Sequence, residues 1–314
     1  RGRFWKWSDL MNLRPELAQL LTVATPPPST MSVTEFRQLT MPDSSILGEP
    51  EPIENVTDTF IAGINAYLPL RIYQPESFNG SALVYFHGGG WVIGTPDAYE
   101  QTLRSLANKT GSIVFAVSYQ KAPEHPFPTP FNDCWSTFEW VVHHAESFQI
   151  NASRIGIGGD SAGGNLAAAV ALKNRDDLSA PLAYQLLIYP CTLDHVETLS
   201  GRERSQGWGL TSEAMNWFIE QYVPQSDQRK NPYAFPANAS DFSNLPPAII
   251  MTAEFDPLKD DGKMYADKLI SGGTKVIYKN FEDLNHGSLM RAGVSQCSEE
   301  LQQYFADQIA HFIS

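Results

Sequence analysis

The five residues from Gly159 to Gly163 (GDSAG) constrain the fold of this chain more than any other segment, because they match the pattern G-x-S-x-G. An apolar run, 154–158, precedes them, and an alanine-rich helical pattern, 165–172, follows. A serine between a strand and a helix can occupy a sharp turn that exposes its hydroxyl. The turn places Ser161 at a helix N-terminus, where free N–H groups stabilise negative charge. The pattern predicts a nucleophilic serine; a small-residue turn without function is the alternative.

Eight apolar segments rich in β-branched residues alternate with helical patterns along most of the chain. Strands that are apolar throughout and separated by helices are typical of a parallel sheet covered on both faces. We therefore predict an α/β fold, in which the first two strands, close in sequence, can form an antiparallel edge. The predicted strands cover residues 56–61, 70–74, 82–87, 113–119, 154–158, 184–189, 248–254 and 275–281. The predicted helices cover residues 99–109, 131–145, 162–174, 258–271 and 298–312.

Two stretches interrupt this alternation and are predicted to form a helical cap. Residues 1–50 carry one or two helical patterns broken by three consecutive prolines, and residues 191–240 insert a helical segment, 212–222, between two strands. Long insertions at strand ends are most often lids, and open α/β sheets bind ligands at the carboxyl ends of their strands. The predicted division is cap in 1–50, core in 51–190, cap insertion in 191–240 and core again in 241–314.

A serine nucleophile needs a base that takes its proton, and that base needs a third group to orient it. In α/β-hydrolase order, an acid and then a histidine are expected after Ser161, each just past a strand. Asp256 follows the strand 248–254 and precedes a proline, so it is the predicted acid, with a helix cap as its alternative role. His286 follows the strand 275–281 in a loop before a glycine and is the predicted base.

Other acids and histidines fit structural roles better. Asp260 and Asp261 lie in the predicted first turn of the next helix, where carboxylates are favourable. His87 precedes Ser161 in the chain, which is the wrong order for the base. The remaining histidines lie on predicted helices, in a proline-rich loop or in the predicted cap: His125, His143, His144, His195 and His311.

A glycine-rich run, HGGGW at 87–91, follows directly after a predicted strand. Acyl transfer develops negative charge on an oxygen, and each fixed N–H donor that stabilises it contributes roughly 10²–10³ in rate. Glycines let the backbone approach a ligand closely and aim its N–H groups inward. The predicted oxyanion hole therefore consists of the N–H groups of Gly89, Gly90 and Ala162; a flexible glycine turn is the alternative.

Together these motifs resemble those of the hormone-sensitive-lipase-like family of α/β-hydrolases, which includes bacterial carboxylesterases and the arylacetamide deacetylase group. The matching segments are HGGGW at 87–91, APEHPFP at 122–128, GDSAGG at 159–164, NPY at 231–233, DPL at 256–258, DDG at 260–262 and HG at 286–287. The resemblance implies an eight-stranded sheet with a helical cap, the triad Ser161, Asp256 and His286, and a loop-shaping role for His87. Two segments depart from the family's pattern and put the packing near the pocket, not the triad, in question: SYQK at 118–121, where Asp-Tyr-Arg-Leu is common, and HGS at 286–288, where His-Gly-Phe is frequent.

The motifs predict a serine carboxylesterase that hydrolyses short to medium acyl or aryl esters through an acyl-enzyme. An amidase, a formamidase or a lactonase is the alternative, because the same triad serves all of these and the glycine loop also resembles that of kynurenine formamidases. A ligand-binding homologue without catalysis, like the gibberellin receptors, is less favoured. Such proteins lose the base, whereas His286 is present in this chain. Five residues are predicted to line an apolar pocket: Trp91, Trp208, Leu210, Trp217 and Phe218.

Charge and cysteine content bound the partners. The formal net charge is −13, whereas a protein that binds a phosphate backbone needs a basic face, so no nucleic-acid partner is expected. The three cysteines are far apart without a C-x-x-C pair, so we expect no metal site, and the predicted mechanism needs no cofactor. No apolar run reaches the ~18 residues of a spanning helix, so we expect no stable membrane insertion. The expected partner is a small-molecule ester substrate, and a homodimer is left open.

The expected compartment is the cytoplasm, because no signal-peptide pattern is visible and sparse cysteines suit a reducing environment. The sequence begins at Arg1, so an upstream segment can be missing, and secretion or membrane association stays open. Residues 1–7 mix basic and aromatic side chains but are too short for a stable interfacial helix, which favours the start of a cap helix.

Overall fold

The eight predicted strands form one sheet in the order β1-β2-β4-β3-β5-β6-β7-β8. The computed structural model describes residues 12–22 and 26–313. β2 pairs antiparallel with both β1 and β4, and the other neighbouring pairs are parallel, which confirms the mostly parallel sheet and its antiparallel edge. The strands are β1 (Asn55–Ala62), β2 (Tyr67–Gln74), β3 (Ser81–Phe86), β4 (Ser112–Val117), β5 (Ile155–Asp160), β6 (Tyr184–Ile188), β7 (Ala248–Phe255) and β8 (Val276–Asn285).

The α-helices of the described residues are α1 (Pro15–Leu20), α2 (Val33–Leu39), α3 (Ser44–Leu47), α4 (Glu100–Thr110), α5 (Thr129–His144), α6 (Ala162–Asp177), α7 (Leu199–Glu203), α8 (Ser212–Tyr222), α9 (Lys259–Ser271) and α10 (Cys297–Ile313). The five helices predicted for the core are confirmed as α4, α5, α6, α9 and α10. The helical segment predicted inside the insertion is confirmed as α8.

Side chains of the central strands alternate between two cores. On β3, Val84 and Phe86 pack in one core with residues of α5, α6 and α9, whereas Leu83 and Tyr85 pack in the other with residues of α4 and α10. Every residue of β3, β4 and β6 is buried. Burial on both faces explains why these strands read as continuous apolar runs in the sequence.

Two segments outside the sheet contact each other through aromatic rings. Phe36 of α2 packs edge-on against Trp217 of α8, with ring centroids 5.4 Å apart, and its centroid lies 5.9 Å from that of Phe218. α2 begins at a capping box in which the Ser32 hydroxyl accepts the Glu35 N–H and the Glu35 carboxylate accepts the Ser32 N–H. The N-terminal region and the insertion thus meet, while the division of the chain into core and cap stays a prediction.

Residues 1–7, predicted to start a cap helix, lie outside the described residues. All three cysteines, Cys134, Cys191 and Cys297, are buried and form no disulfide. No helix within residues 12–22 and 26–313 has the length and apolar character to cross a membrane.

Candidate active site

Ser161 alone connects β5 to α6, because β5 ends at Asp160 and α6 begins at Ala162. Its backbone has φ 55° and ψ −119°, a strained conformation for a residue with a side chain and one typical of a nucleophile elbow. The Ser161 N–H donates to the carbonyl of Ile188 on β6 at 2.8 Å, which holds the turn against the neighbouring strand. The hydroxyl therefore projects from the sheet beside the N-terminus of α6.

Gly163 allows the first turn of α6 to lie against the end of β3. A Cβ at this position would overlap the carbonyl oxygen of Phe86, and that atom belongs to the backbone and cannot rotate away. The last glycine of the motif is therefore required by close packing, and it places the serine turn beside the loop that follows β3.

Asp256 and His286 follow directly after β7 and β8, and both reach Ser161. Nδ1 of His286 lies 2.6 Å from Oδ2 of Asp256, and Nε2 of His286 lies 2.9 Å from Oγ of Ser161. The carboxylate can only accept, so Nδ1 carries the proton and donates it, which leaves Nε2 to accept from the hydroxyl. Asp256 is fully buried, and its Oδ1 also accepts the N–H of Leu258 at 2.8 Å. The structure thus brings the three predicted side chains into one hydrogen-bonded chain.

The loop 87–93, which we call the oxyanion loop, follows β3 and carries backbone N–H groups without acceptors. Within the part of the chain that the structure describes, the N–H groups of Gly89, Gly90 and Ala162 form no hydrogen bond. Gly90 and Ala162 are buried, and buried N–H groups without a partner are rare in folded proteins. N–H groups without partners, at the start of α6 and in the loop that follows β3, are donors of the kind that stabilise an oxygen that becomes negative.

Asp160, which the sequence analysis did not single out, joins the serine turn to the oxyanion loop. Its Oδ1 accepts the Gly88 N–H at 3.0 Å and the Tyr85 hydroxyl at 2.9 Å, and its Oδ2 accepts the Tyr99 hydroxyl at 2.8 Å. Burial raises the pKa of Asp160, while these donors act in the opposite direction. A carboxylate at the end of an otherwise apolar strand was the available signal, since a buried charge needs partners.

His87 supports the oxyanion loop and does not reach the triad. Its ring is buried and stacks on that of Tyr119, with centroids 4.4 Å apart, and its Nδ1 lies 2.7 Å from the Gly88 carbonyl oxygen. Burial lowers the pKa of His87 to about 3, so the ring is neutral. The Tyr119 hydroxyl donates to the His87 carbonyl at 2.9 Å, which holds the start of the loop.

Asp261 lies in the first turn of α9, as the sequence predicts, but it does more than offset the helix dipole. Its side chain is buried and accepts the N–H groups of Thr192 at 2.8 Å and Leu193 at 3.2 Å, together with the Thr192 hydroxyl. Burial raises the pKa of Asp261 to about 7. The carboxyl group therefore fixes the start of the insertion onto the helix that follows Asp256.

Two of the predicted pocket residues border the loops of the site. A Cβ placed on Gly90 would overlap the ring of Phe218, so this ring covers the oxyanion loop directly. The ring of Trp208 stacks on Phe255, with centroids 4.6 Å apart, and its carbonyl accepts the side-chain amide of Asn285 at 2.9 Å. Trp208 thus contacts the residues that precede Asp256 and His286.

The other three predicted pocket residues differ in burial. Trp91 is fully buried, stacks on Tyr222 with centroids 4.4 Å apart, and donates from Nε1 to Asn165 at 3.3 Å. Leu210 and Trp217 are partly buried against the core. Two surface grooves of about 270 and 360 Å³ lie at the β1 edge and beside the C-terminal end of α6, away from the triad residues.

Several known proteins with related sequences are named as esterases. Residues 83–290 match the sequence model of a family of proteins with the alpha/beta hydrolase fold. Carboxylesterase NlhH of Mycobacterium tuberculosis is 39% identical over 225 residues, 70% of each chain, and ethyl acetate hydrolase of Pseudomonas putida is 31% identical over 306 residues, 92% of this chain and 96% of its own. The solved structure of a hyperthermophilic esterase from the archaeon Pyrobaculum calidifontis superposes with a TM-score of 0.90 at 34% identity, covering 97% of this chain and all of its own.

Proposed function

This chain belongs to the α/β-hydrolase family, in its hormone-sensitive-lipase-like branch, and from that premise we propose that it is a serine carboxylesterase acting on short to medium acyl or aryl esters. The observation that carries the proposal is the continuous chain of hydrogen bonds from Asp256 through His286 to Ser161. The related proteins named carboxylesterase and ethyl acetate hydrolase support the ester as substrate.

In the proposed acylation step, the Ser161 oxygen forms a bond to the ester carbonyl carbon while its proton moves to Nε2 of His286. Asp256 accepts from Nδ1 and stabilises the imidazolium that results. The carbonyl electron pair moves onto the oxygen, where the N–H groups of Gly89, Gly90 and Ala162 receive it. The C–O bond to the alcohol then breaks, and the alkoxide leaves with the proton from Nε2.

Deacylation repeats these steps with water as the nucleophile. Nε2 of His286 takes a proton from the water as its oxygen bonds to the acyl carbon. The tetrahedral oxyanion uses the same three N–H donors, and its collapse breaks the bond to Ser161. The proton returns from His286 to the serine oxygen, which releases the carboxylic acid and restores the starting state.

The cap is part of this proposal. Residues 1–50 and 191–240 form the cap, and residues 51–190 and 241–314 form the core. The contacts of Phe36 with Trp217 and Phe218 support the joining of the two cap segments, and the position of Phe218 over Gly90 supports a cap that borders the acyl pocket.

Covalent labelling tests the nucleophile directly. A fluorophosphonate is expected to add one adduct to the peptide that contains Ser161, and Ser161→Ala is expected to abolish the adduct and reduce kcat by roughly 10⁴–10⁶ with folding intact. An adduct on another residue, or equal activity of variant and parent, would contradict the assignment.

A substrate panel separates the ester from the alternatives. p-Nitrophenyl acetate, butyrate and octanoate are compared with an anilide and a lactone of similar size. We expect the highest kcat/KM on acetate or butyrate. A preference for the anilide or the lactone would favour an amidase or a lactonase, and binding of an apolar ligand without turnover would favour a non-catalytic homologue.

A further inference from the structure

Residues 89–91 of the oxyanion loop adopt a backbone conformation that their surroundings must hold. Gly89, Gly90 and Trp91 have φ values of 113°, 57° and 61°, so three consecutive residues lie in the left-handed region. A tryptophan in this region is an outlier, and such strain persists only where neighbouring contacts fix the backbone. The direction of the N–H groups of Gly89 and Gly90 depends on this conformation, so the contacts that fix it matter for catalysis.

Some of these contacts lie within the loop, and one comes from a neighbouring loop of the core. The carbonyl of Gly89 accepts the N–H groups of Val92 at 3.0 Å and Ile93 at 2.9 Å, and the carbonyl of Trp91 accepts the N–H of Ala122 at 3.0 Å. The last contact joins the oxyanion loop to the loop that contains Glu124. The two loops therefore meet at these buried residues.

Arg37 of α2 reaches this meeting place from the N-terminal region. Its Nε donates to the carbonyl of Val92 at 2.9 Å, and its Nη2 donates to the carbonyl of Ala122 at 2.9 Å. Its Nη1 and Nη2 also hold the Glu124 carboxylate, each at 2.7 Å. The guanidinium lowers the pKa of Glu124 to about 2. The planar guanidinium of Arg37 thus bridges the two loops, beside the hydrogen bond that joins Trp91 to Ala122.

α2 also reaches the oxyanion loop indirectly, through the aromatic residue that precedes Arg37. Phe36 packs against Phe218, and Phe218 covers Gly90. Within the described residues, every side-chain hydrogen bond that links α2 to the core comes from Arg37. Arg37 is therefore the polar anchor of a helix that contacts the oxyanion loop directly at Val92 and, through Phe218, borders it at Gly90.

We propose that Arg37 is a positioning residue that holds the oxyanion loop in its donor conformation from the N-terminal region. The inference rests on the proposed function, because it assigns Arg37 a role in the orientation of the Gly89 and Gly90 N–H groups. Arg37 contacts neither the triad nor the reacting atoms. Its loss changes the stabilisation of the oxyanion and leaves the binding of the ester in its ground state largely intact.

Arg175 provides a matched control, because it also binds two backbone carbonyls and one carboxylate, away from the site. Its Nη1 donates to the carbonyls of Asp241 and Ser243, each at 3.0 Å, and its Nε pairs with the Asp176 carboxylate at 2.7 Å. It lies near the C-terminal end of α6, while Ser161 precedes the N-terminal end, and the two are about 20 Å apart along the helix. Arg37→Met and Arg175→Met each keep an unbranched apolar stem and remove the donors.

The test measures kcat, KM and the Ki of a trifluoromethyl ketone, which binds serine esterases as an oxyanion adduct. For Arg37→Met we expect kcat to fall about tenfold with KM within about twofold, and Ki to rise by the factor by which kcat/KM falls. Arg175→Met is expected to keep kcat and Ki within about twofold of the parent although it loses three hydrogen bonds, against four for Arg37→Met. An unchanged kcat in Arg37→Met, a change in KM alone, or an equal loss in Arg175→Met would overturn the proposal.

A second variant covers the case in which Arg37→Met does not fold by circular dichroism. Arg37→Lys keeps the charge but cannot span both carbonyls and the carboxylate, so kcat is expected to fall about threefold or more with a matching rise in Ki. A folded Arg37→Lys protein with parental kcat and Ki refutes the role. The parent and Ser161→Ala are assayed in parallel: an inactive parent refutes the esterase, whereas an active parent with unaffected Arg37 variants refutes only the role of Arg37.

Discussion

The contact between Phe218 and Gly90 allows a quantitative test of how the insertion presses on the oxyanion loop. In Gly90→Ala, the new Cβ would lie 2.7 Å from Cδ2 of Phe218 and closer still to Cγ and Cδ1. Ordinary contact begins near 3.4 Å, so the ring has to move by about 1 Å. Phe218 is only 5% exposed and packs against Phe36 and Trp217, so it cannot move without disturbing that cluster.

Two costs add in this variant. Overpacking of a buried cluster costs about 1–3 kcal/mol, and a left-handed backbone with a Cβ costs roughly 1–2 kcal/mol more. We therefore expect Gly90→Ala to lower the free energy of unfolding by about 2–5 kcal/mol. In a chain of this length, 1 kcal/mol corresponds to roughly 1.5 °C in Tm, so the expected decrease is about 3–7 °C. The N–H of residue 90 would also be displaced, and kcat is expected to fall by up to about 10²-fold.

Gly273→Ala and Phe218→Ala separate the two costs. Gly273 has φ 86° and nothing lies within 4 Å of a Cβ placed there, so its alanine variant carries the backbone cost alone. The double variant Gly90→Ala/Phe218→Ala removes the clash and is expected to be less destabilised than the sum of the single variants by about 1–3 kcal/mol. Urea unfolding followed by circular dichroism measures these differences. Additivity within about 0.5 kcal/mol would refute the contact as described.

Two further predictions concern the buried carboxyl groups. Asp256→Asn is expected to lower kcat on p-nitrophenyl butyrate by about 10⁴ at neutral pH, because Oδ1 stays with the Leu258 N–H and the amide nitrogen then donates to Nδ1 of His286 and imposes the wrong tautomer; activity within tenfold of the parent would contradict the role of the acid. Asp261 binds a proton up to a pKa of about 7 in the folded chain but only near 3.8 when unfolded, so the native state holds more protons between these values and its stability falls as the pH rises. Between pH 4 and pH 8 the stability of Asp261→Asn relative to the parent is therefore expected to rise by at most about 4 kcal/mol, which corresponds to roughly 6 °C in Tm. Differential scanning fluorimetry measures this difference in Tm, and a difference that does not change with pH would contradict the buried titration.

The fold and the order of the site residues were predictable because both depend on local sequence patterns. β3 and β6 lie in the middle of the sheet and are buried on both faces, so their apolar runs mark them as strands. The ends of β5, β7 and β8 carry Ser161, Asp256 and His286, and parallel strands place those ends at one edge of the sheet. The G-x-S-x-G pattern supplied the first residue, and chain order supplied the other two.

The contacts that hold the oxyanion loop were not predictable from the same patterns. Arg37 reads as one basic residue in a short amphipathic helix, and nothing in its neighbourhood reveals that it reaches Val92 and Ala122. Asp160 occupies the variable position of the serine motif, so the motif alone does not indicate that its carboxylate receives three hydrogen bonds. Periodicity identifies which residues share a face of one element, but contacts between distant loops depend on how the elements pack.

The buried acids show how this fold obtains orientation at the expense of stability. Asp160, Asp256 and Asp261 are each nearly or fully buried, and the hydrogen-bond donors that the structure gives them are backbone N–H groups, hydroxyls and the His286 ring. A buried carboxyl group that receives only such neutral donors costs free energy of folding, because hydrogen bonds only partly offset its loss of water. Asp160 fixes the oxyanion loop to the serine turn, Asp256 orients the base, and Asp261 fixes the start of the insertion. Each acid joins a loop of the site to the sheet or to a helix. An apolar replacement that raises the stability of the protein is therefore also expected to release a loop that catalysis needs.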